Sequence, residues 1–108
     1  MLKLIPKWLK RDKMPCQDDL AKPFFAMAKQ AILVNELPKA IAHLDSGIKA
    51  APDQLKLYLH RAQILQYGMN NYSGALQDYR YILRELETQP NQILASQCKK
   101  AMKDMMTT

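Results

Sequence analysis

The sequence predicts an all-α protein of about five helices, and three observations carry that prediction. Apolar residues recur at three- and four-residue spacing from Lys22 to near the end of the chain. Threonine occurs only at Thr88, Thr107 and Thr108 and valine only at Val34, and no run of four or more residues combines apolar–polar alternation with β-branched enrichment, so no sheet is expected. The helical segments also repeat with a period near 34 residues. At 108 residues, 48% hydrophobic and 24% charged, the chain suits one small domain and not wholesale disorder. Three glycines and six prolines exclude collagen-like and low-complexity readings.

Residues 1–20 read as a basic arm, broken by Pro6 and Pro15, with Gln17-Asp18-Asp19 as a turn or helix-start signal. A first helix is expected from Lys22, with Pro23 in its first turn. Its buried stripe is Phe24, Met27, Ala28, Ala31 and Ile32, and it should end near Asn35-Glu36-Leu37. Pro38 opens a second helix, whose stripe runs through Ala40/Ile41, Leu44, Gly47/Ile48 and Ala51 until Pro52-Asp53 stops it. A third starts after Asp53, a candidate N-cap, and buries Leu55, Tyr58, Ala62 and Leu65. Gly68 and Asn70-Asn71 close it, since both residue types tolerate left-handed backbone. A fourth runs from Tyr72 or Ser73 to Glu87, burying Tyr72, Ala75/Leu76, Tyr79, Ile82/Leu83 and Leu86. After Gln89-Pro90-Asn91 a fifth carries Ile93/Leu94, Gln97/Cys98, Ala101 and Met105.

The charge of +6 is uneven. Lys3, Lys7, Lys10, Arg11 and Lys13 stand against Asp12 alone in residues 1–13, so the arm is basic and the body nearly neutral. With Trp8, this arm offers a contact for anionic surfaces, a membrane surface included, through Lys3, Lys7, Trp8, Lys10, Arg11 and Lys13. No run approaches transmembrane length, and the lysines leave no apolar stretch of signal-peptide length. Cys16 and Cys98 form no disulfide framework or metal spacing, which favours a reducing, cytoplasmic setting.

The period pairs Phe24 with Tyr58 and Ala28 with Ala62, each 34 apart, and Ala40 with Ala75 and Leu44 with Tyr79, each 35 apart. Pro52 and Pro90 close the two units. Two helices per unit at this spacing point to helical hairpins stacked as a solenoid. In these residues the chain resembles the tetratricopeptide repeat family: an aromatic, a large–small pair, a second-helix alanine and a closing proline recur in order. The resemblance implies a right-handed solenoid in residues 21–106: repeat one at 21–53, repeat two at 54–90 and a capping helix at 91–106. Arg61 departs from it, standing where the family has a large apolar residue. The second unit is also longer, by one residue between Tyr58 and Ala75 and by three between Ala75 and Pro90.

The resemblance implies a groove lined by the first helix of each unit. By helical spacing that side carries Lys22, Phe25, Lys29 and Leu33 on the first helix, and Lys56, Leu59, His60, Gln63 and Tyr67 on the third. Cations beside apolar groups suit a partner protein or peptide, acidic in character. The expected role is a non-catalytic adaptor or co-chaperone-like scaffold; the alternative is a peripheral membrane or polyanion-binding protein working through the arm. The chaperone-tail clamp of some family members is not expected, because its paired asparagines are missing from the groove side. His43 and His60 are isolated from further ligands, nucleophile and phosphate-loop motifs are missing, and neither metal, cofactor nor catalysis is expected. Tyr67, Tyr72, Tyr79 and Tyr81 near Arg80 and Arg84 read as core and solvated face, with no specific nucleic acid expected. Ile93, Leu94, Met102 and Met105 are expected to cap the second unit or seal a homodimer.

Overall fold

A computed structural model describes residues 17–106, and these residues form five helices and no strand. They are α1 (Gln17–Leu33), α2 (Leu37–Ala50), α3 (Leu55–Gln63, extended by a π-helical turn over Ile64–Gly68), α4 (Tyr72–Glu85) and α5 (Gln92–Met106). Each helix packs against the next in sequence. None among the described residues is long and apolar enough to cross a membrane.

Helix α1 begins at Gln17, five residues before the expected start, within the segment read as arm. Pro23 therefore lies inside the helix and forgoes a bond to the Asp19 carbonyl. Burial of Ala21 and part of Leu20 in the core offsets that loss. The α1 stripe is also narrower than expected. Ala21, Ala28 and Ala31 are buried, whereas Met27 and Ile32 are 40% and 42% exposed. Small residues bring α1 so close to α2 that larger neighbours at its edges are squeezed outward.

Helix α2 starts with Pro38 in its first turn and buries Ala40, Leu44 and Gly47. Gly47 marks a close crossing: a Cβ there would sit 2.9 Å from Phe24 Cβ and 3.0 Å from Leu57 Cδ2, side chains of α1 and α3. The N-cap of α3 is Gln54, not Asp53; its side chain accepts from the Lys56 amide at 3.3 Å. Asn71 and Asn91 cap α4 and α5 through their side-chain oxygens, each accepting an amide at 3.0 Å. Asn35 and Asn70 take left-handed backbone at φ 60° and 54° in the α1–α2 and α3–α4 connections, a conformation asparagine tolerates.

There are two cores, and α3 belongs to both. The first gathers Ala28, Ala31, Ala40, Leu44 and Ala51 around Leu57 and Ile64 of α3. The second gathers Ala75, Tyr79, Ile82, Leu94, Cys98 and Ala101 around Leu55, Leu59 and Ala62 of α3. Two outward exceptions correct the expected stripes: Tyr72 is half exposed and Ile93 points to solvent, while Leu94, Met102 and Met105 do pack on the second core.

The extra residues of the second unit have definite places. Phe24 to the end of α1 is nine positions and Tyr58 to Gly68 is ten, while both following connections have three residues. The added residue is thus absorbed inside the helix, as the π-helical turn. That turn carries Gln66 inward, where its amide nitrogen donates to the Ala101 carbonyl at 3.0 Å and its oxygen accepts the Tyr79 hydroxyl at 2.7 Å. Ala40 to Ala50 and Ala75 to Glu85 are both ten positions, so the other three additions lie in the α4–α5 connection.

Arg61 has a structural role. Its guanidinium donates Nε–H and Nη2–H to the two carboxylate oxygens of Asp78 at 2.9 and 2.7 Å, and Nη1–H to Asp45 at 2.8 Å. It also lies over the Tyr58 ring, 5.6 Å from its centroid. Three helices, α2, α3 and α4, are joined at one charge. Asp78 is buried, so its removal strands Arg61 beside the core; Asp45 is half exposed and screened by water.

Asp78→Ala should therefore lower unfolding stability by about 3 kcal/mol, whereas Asp45→Asn should cost less than about 1 kcal/mol, both read from urea denaturation. Alkali should act separately. Burial pushes the Cys98 thiol from 9.0 up to about 11, and burial with the neighbouring Tyr81 pushes the Tyr58 phenol from 10.0 up to about 12. Both folded groups hold their protons longer than the unfolded chain does. Their contribution is complete below pH 9 and is lost as pH climbs through about 11 and 12, so stability should fall from about pH 9 upward. Cys98→Ala should delay that onset in a pH series of thermal melts.

Candidate functional site: a groove between α1 and α3

With about 100° per residue, α3 presents four sides. Leu57 and Ile64 point into the first core; Leu55, Leu59 and Ala62 point into the second. Tyr58 and Arg61 are held from α4, Tyr58 by the Tyr81 ring at 4.6 Å and Arg61 by Asp78. Lys56, His60, Gln63 and Tyr67 fall on the fourth side, which belongs to neither core: Lys56, His60 and Tyr67 are exposed and Gln63 is half-buried.

Helix α1 runs beside this side and the two enclose a groove of two adjoining cavities. The first, about 480 Å³, is rimmed by Phe25, Lys29, Ile32, Lys56 and His60 above a floor of Ala28 and Leu44. The second, about 490 Å³, is lined by Ile32, Leu37, His60, Gln63, Ile64 and Tyr67. Ile32 and His60 belong to both. No acidic residue lines either cavity, and Lys29 and Lys56 supply the charge at one end. The other end is lined by uncharged groups, the Gln63 amide near Tyr67, with the Asp104 carboxylate behind them accepting the Tyr67 hydroxyl at 3.2 Å.

The His60 ring packs on Phe25 at 5.0 Å between centroids, tilted by 56°. The residue nonetheless stays exposed. Burial, and secondarily the charge of Lys56, lowers its pKa below the ordinary histidine value, so it is neutral in the empty groove at physiological pH.

Of the residues the sequence assigned to the groove, Phe25, Lys29, Lys56, His60, Gln63 and Tyr67 line its cavities. Three do not. Leu59 is 5% exposed and fills the second core, because the π-helical turn and α4 close over that side of α3. Leu33 is 68% exposed at the end of α1, beyond both cavities. Lys22 is taken up by Asp19 one turn earlier, at 3.4 Å. Ile32, Ala28, Leu44 and Leu37 were missed. Ile32 was read as core, and the only cue to its place was its position one turn after Lys29.

A separate cavity of about 410 Å³ lies beside the lengthened α4–α5 connection, where Leu55, Leu86 and Leu94 stand among Gln54, Gln89, Asn91 and Gln97 and the charged Asp53 and Lys56, so Lys56 borders this cavity as well as the groove. Among the described residues no three His, Cys, Asp or Glu side chains converge as metal ligands. The arm residues Lys3, Lys7, Trp8, Lys10, Arg11 and Lys13, and Cys16, lie outside the described residues. In comparisons with known proteins, no family model, no curated protein and no solved structure matches the chain.

If the fourth side of α3 is free of structural duty, its residues should be dispensable for folding. Lys56→Ala and Gln63→Ala should change stability by no more than about 0.5 kcal/mol. Leu59→Ala should cost about 2–5 kcal/mol. Urea denaturation of the three variants checks both statements.

Proposed function

We propose that the chain is a non-catalytic binding module, two tetratricopeptide-like hairpins stacked as a short right-handed solenoid with α5 as its cap, which grips an acidic peptide segment of a cytoplasmic partner. One observation carries this reading: α3 is enclosed on three sides, and its fourth carries lysine, histidine and amide groups facing the Phe25–Lys29 side of α1 across an acid-free groove. A side that belongs to neither core yet is furnished with convergent polar groups over apolar walls fits a ligand site.

Further findings support the architecture. Ala28 and Ala62, Ala40 and Ala75, and Leu44 and Tyr79 are buried pair by pair at the matched places of the two units. The length differences fall in a helical turn and a connection and leave those pairs in register. The chemistry of recognition follows from the rim. The ammonium groups of Lys29 and Lys56 attract carboxylates, while Phe25 and Ile32 cover apolar side chains of the same segment.

A peptide array comparing acidic, neutral and basic segments tests the reading, followed by affinity measurements on the best binder. The acidic segments should be retained, and binding should weaken with added salt. The double variant Lys29→Glu/Lys56→Glu should lose at least about tenfold in affinity, the equivalent of about 1.4 kcal/mol. Reversal of Lys99, exposed on α5, should leave affinity unchanged. Equal affinity for the wild-type chain and the double variant would overturn the proposal.

A further inference from the structure

Histidine 60 stands where the two cavities of the groove meet. Its ring leans on Phe25 of α1, and Lys29 and Lys56 share its cavity. Any carboxylate drawn to those two ammonium groups enters the same small space as the imidazole. We infer that peptide binding in this groove is coupled to proton uptake by His60, so that the module holds an acidic segment more tightly as pH falls. The inference rests on the groove reading above and adds a regulation to it.

The groups facing His60 decide the direction. From α1 come Phe25 and Lys29, and from α2 only the apolar Leu37 and Leu44. From α3 comes Lys56, and from its π-helical turn Tyr67, whose hydroxyl is engaged by Asp104 of α5. The two charged groups sharing its cavities are thus both cations, and no acid of the groove favours the imidazolium. Burial and Lys56 keep the ring neutral when the groove is empty. A bound carboxylate supplies the missing anion. It pairs with the lysines, which weakens their repulsion, and it accepts a charge-assisted hydrogen bond from the protonated ring.

The bound state then has the higher His60 pKa, and linkage fixes the sign: affinity rises as pH drops from above the ordinary histidine value through that of the free protein. Each unit by which binding raises the pKa gives up to about tenfold in affinity across that window. Glutamate side chains on the ligand stay ionised down to about pH 5, so they do not mask the effect. His43, the other histidine, lies beside Met27 and Val34 on a different surface and serves as an internal control.

The probe is an acetylated, amidated hexapeptide of glutamate and leucine. Its affinity is measured by fluorescence anisotropy at pH 7.5, 6.5 and 5.5, and the His60 titration is followed by NMR with and without it. The expected result is binding about tenfold tighter at the lowest pH, with the His60 midpoint moved upward by the peptide. His60→Gln should bind with the same affinity at all three values, and His43→Gln should keep the wild-type dependence. Binding that is independent of pH, or a dependence that survives in His60→Gln, would overturn the coupling while leaving the groove reading intact. Absence of binding at every pH, with an unmoved His60 midpoint, would overturn both.

Discussion

Leu57 and Ile64 project from α3 into one core, Leu55, Leu59 and Ala62 project into another, and Arg61 ties the same helix to both α2 and α4. Neither hairpin has a complete interior without α3. A chain of this length buries only about two thirds of the surface its unfolded form exposes. Sharing one helix between two cores lets each reach a workable size. It also commits α3 on three sides, which leaves a single direction in which its side chains are free to meet something else.

Close approach of the other helices depends on small residues. Ala28, Ala40, Ala62 and Ala75 are all buried, and Gly47 sits where even a methyl group would collide with Phe24 and Leu57. Aromatic groups then fill what the small residues leave: Tyr79 is fully buried and answers Gln66 with its hydroxyl. The satisfied amide of Gln66 ties the π-helical turn to α5, so that helix is bound by a polar contact as well as by Leu94, Cys98 and Ala101. Asp78 and Gln66, the buried polar residues of the described chain, each have partners, as the cost of leaving such groups unpaired requires.

Much of this was legible in the sequence. Pro38, Asn70-Asn71 and the Gln89-Pro90-Asn91 break mark helix ends where the structure has them, because capping and left-handed turns are local chemistry. The alanine pairs pointed to close crossings for the same reason that they are buried. Other features depend on contacts distant in the chain. Arg61 looked like a flaw in an apolar stripe, since nothing nearby announces Asp78 seventeen residues on. Leu59 was assigned to the groove because one helix was credited with one buried face. The π-helical turn left a trace, the single residue added between Tyr58 and Ala75, but spacing alone could not place it in the helix instead of the connection. Of the residues lining the two cavities, Phe25, Lys29, Lys56, His60, Gln63 and Tyr67 follow from helical phase, while Ile32 and Leu37 depend on how closely α1 approaches α2.

The measurement that bears most directly on a three-sided α3 is a cysteine scan along it. Single cysteines would be placed from position 55 to position 67 in a chain whose native Cys16 and Cys98 are replaced, and thiol labelling rates followed under native conditions. The account predicts fast labelling at 56, 60, 63 and 67 alone, with 55, 57, 59, 62 and 64 protected on two separate sides. Protection along one side only, with rapid labelling at 57 and 64, would mean that α3 belongs to a single core and that the groove beside it is not built as described.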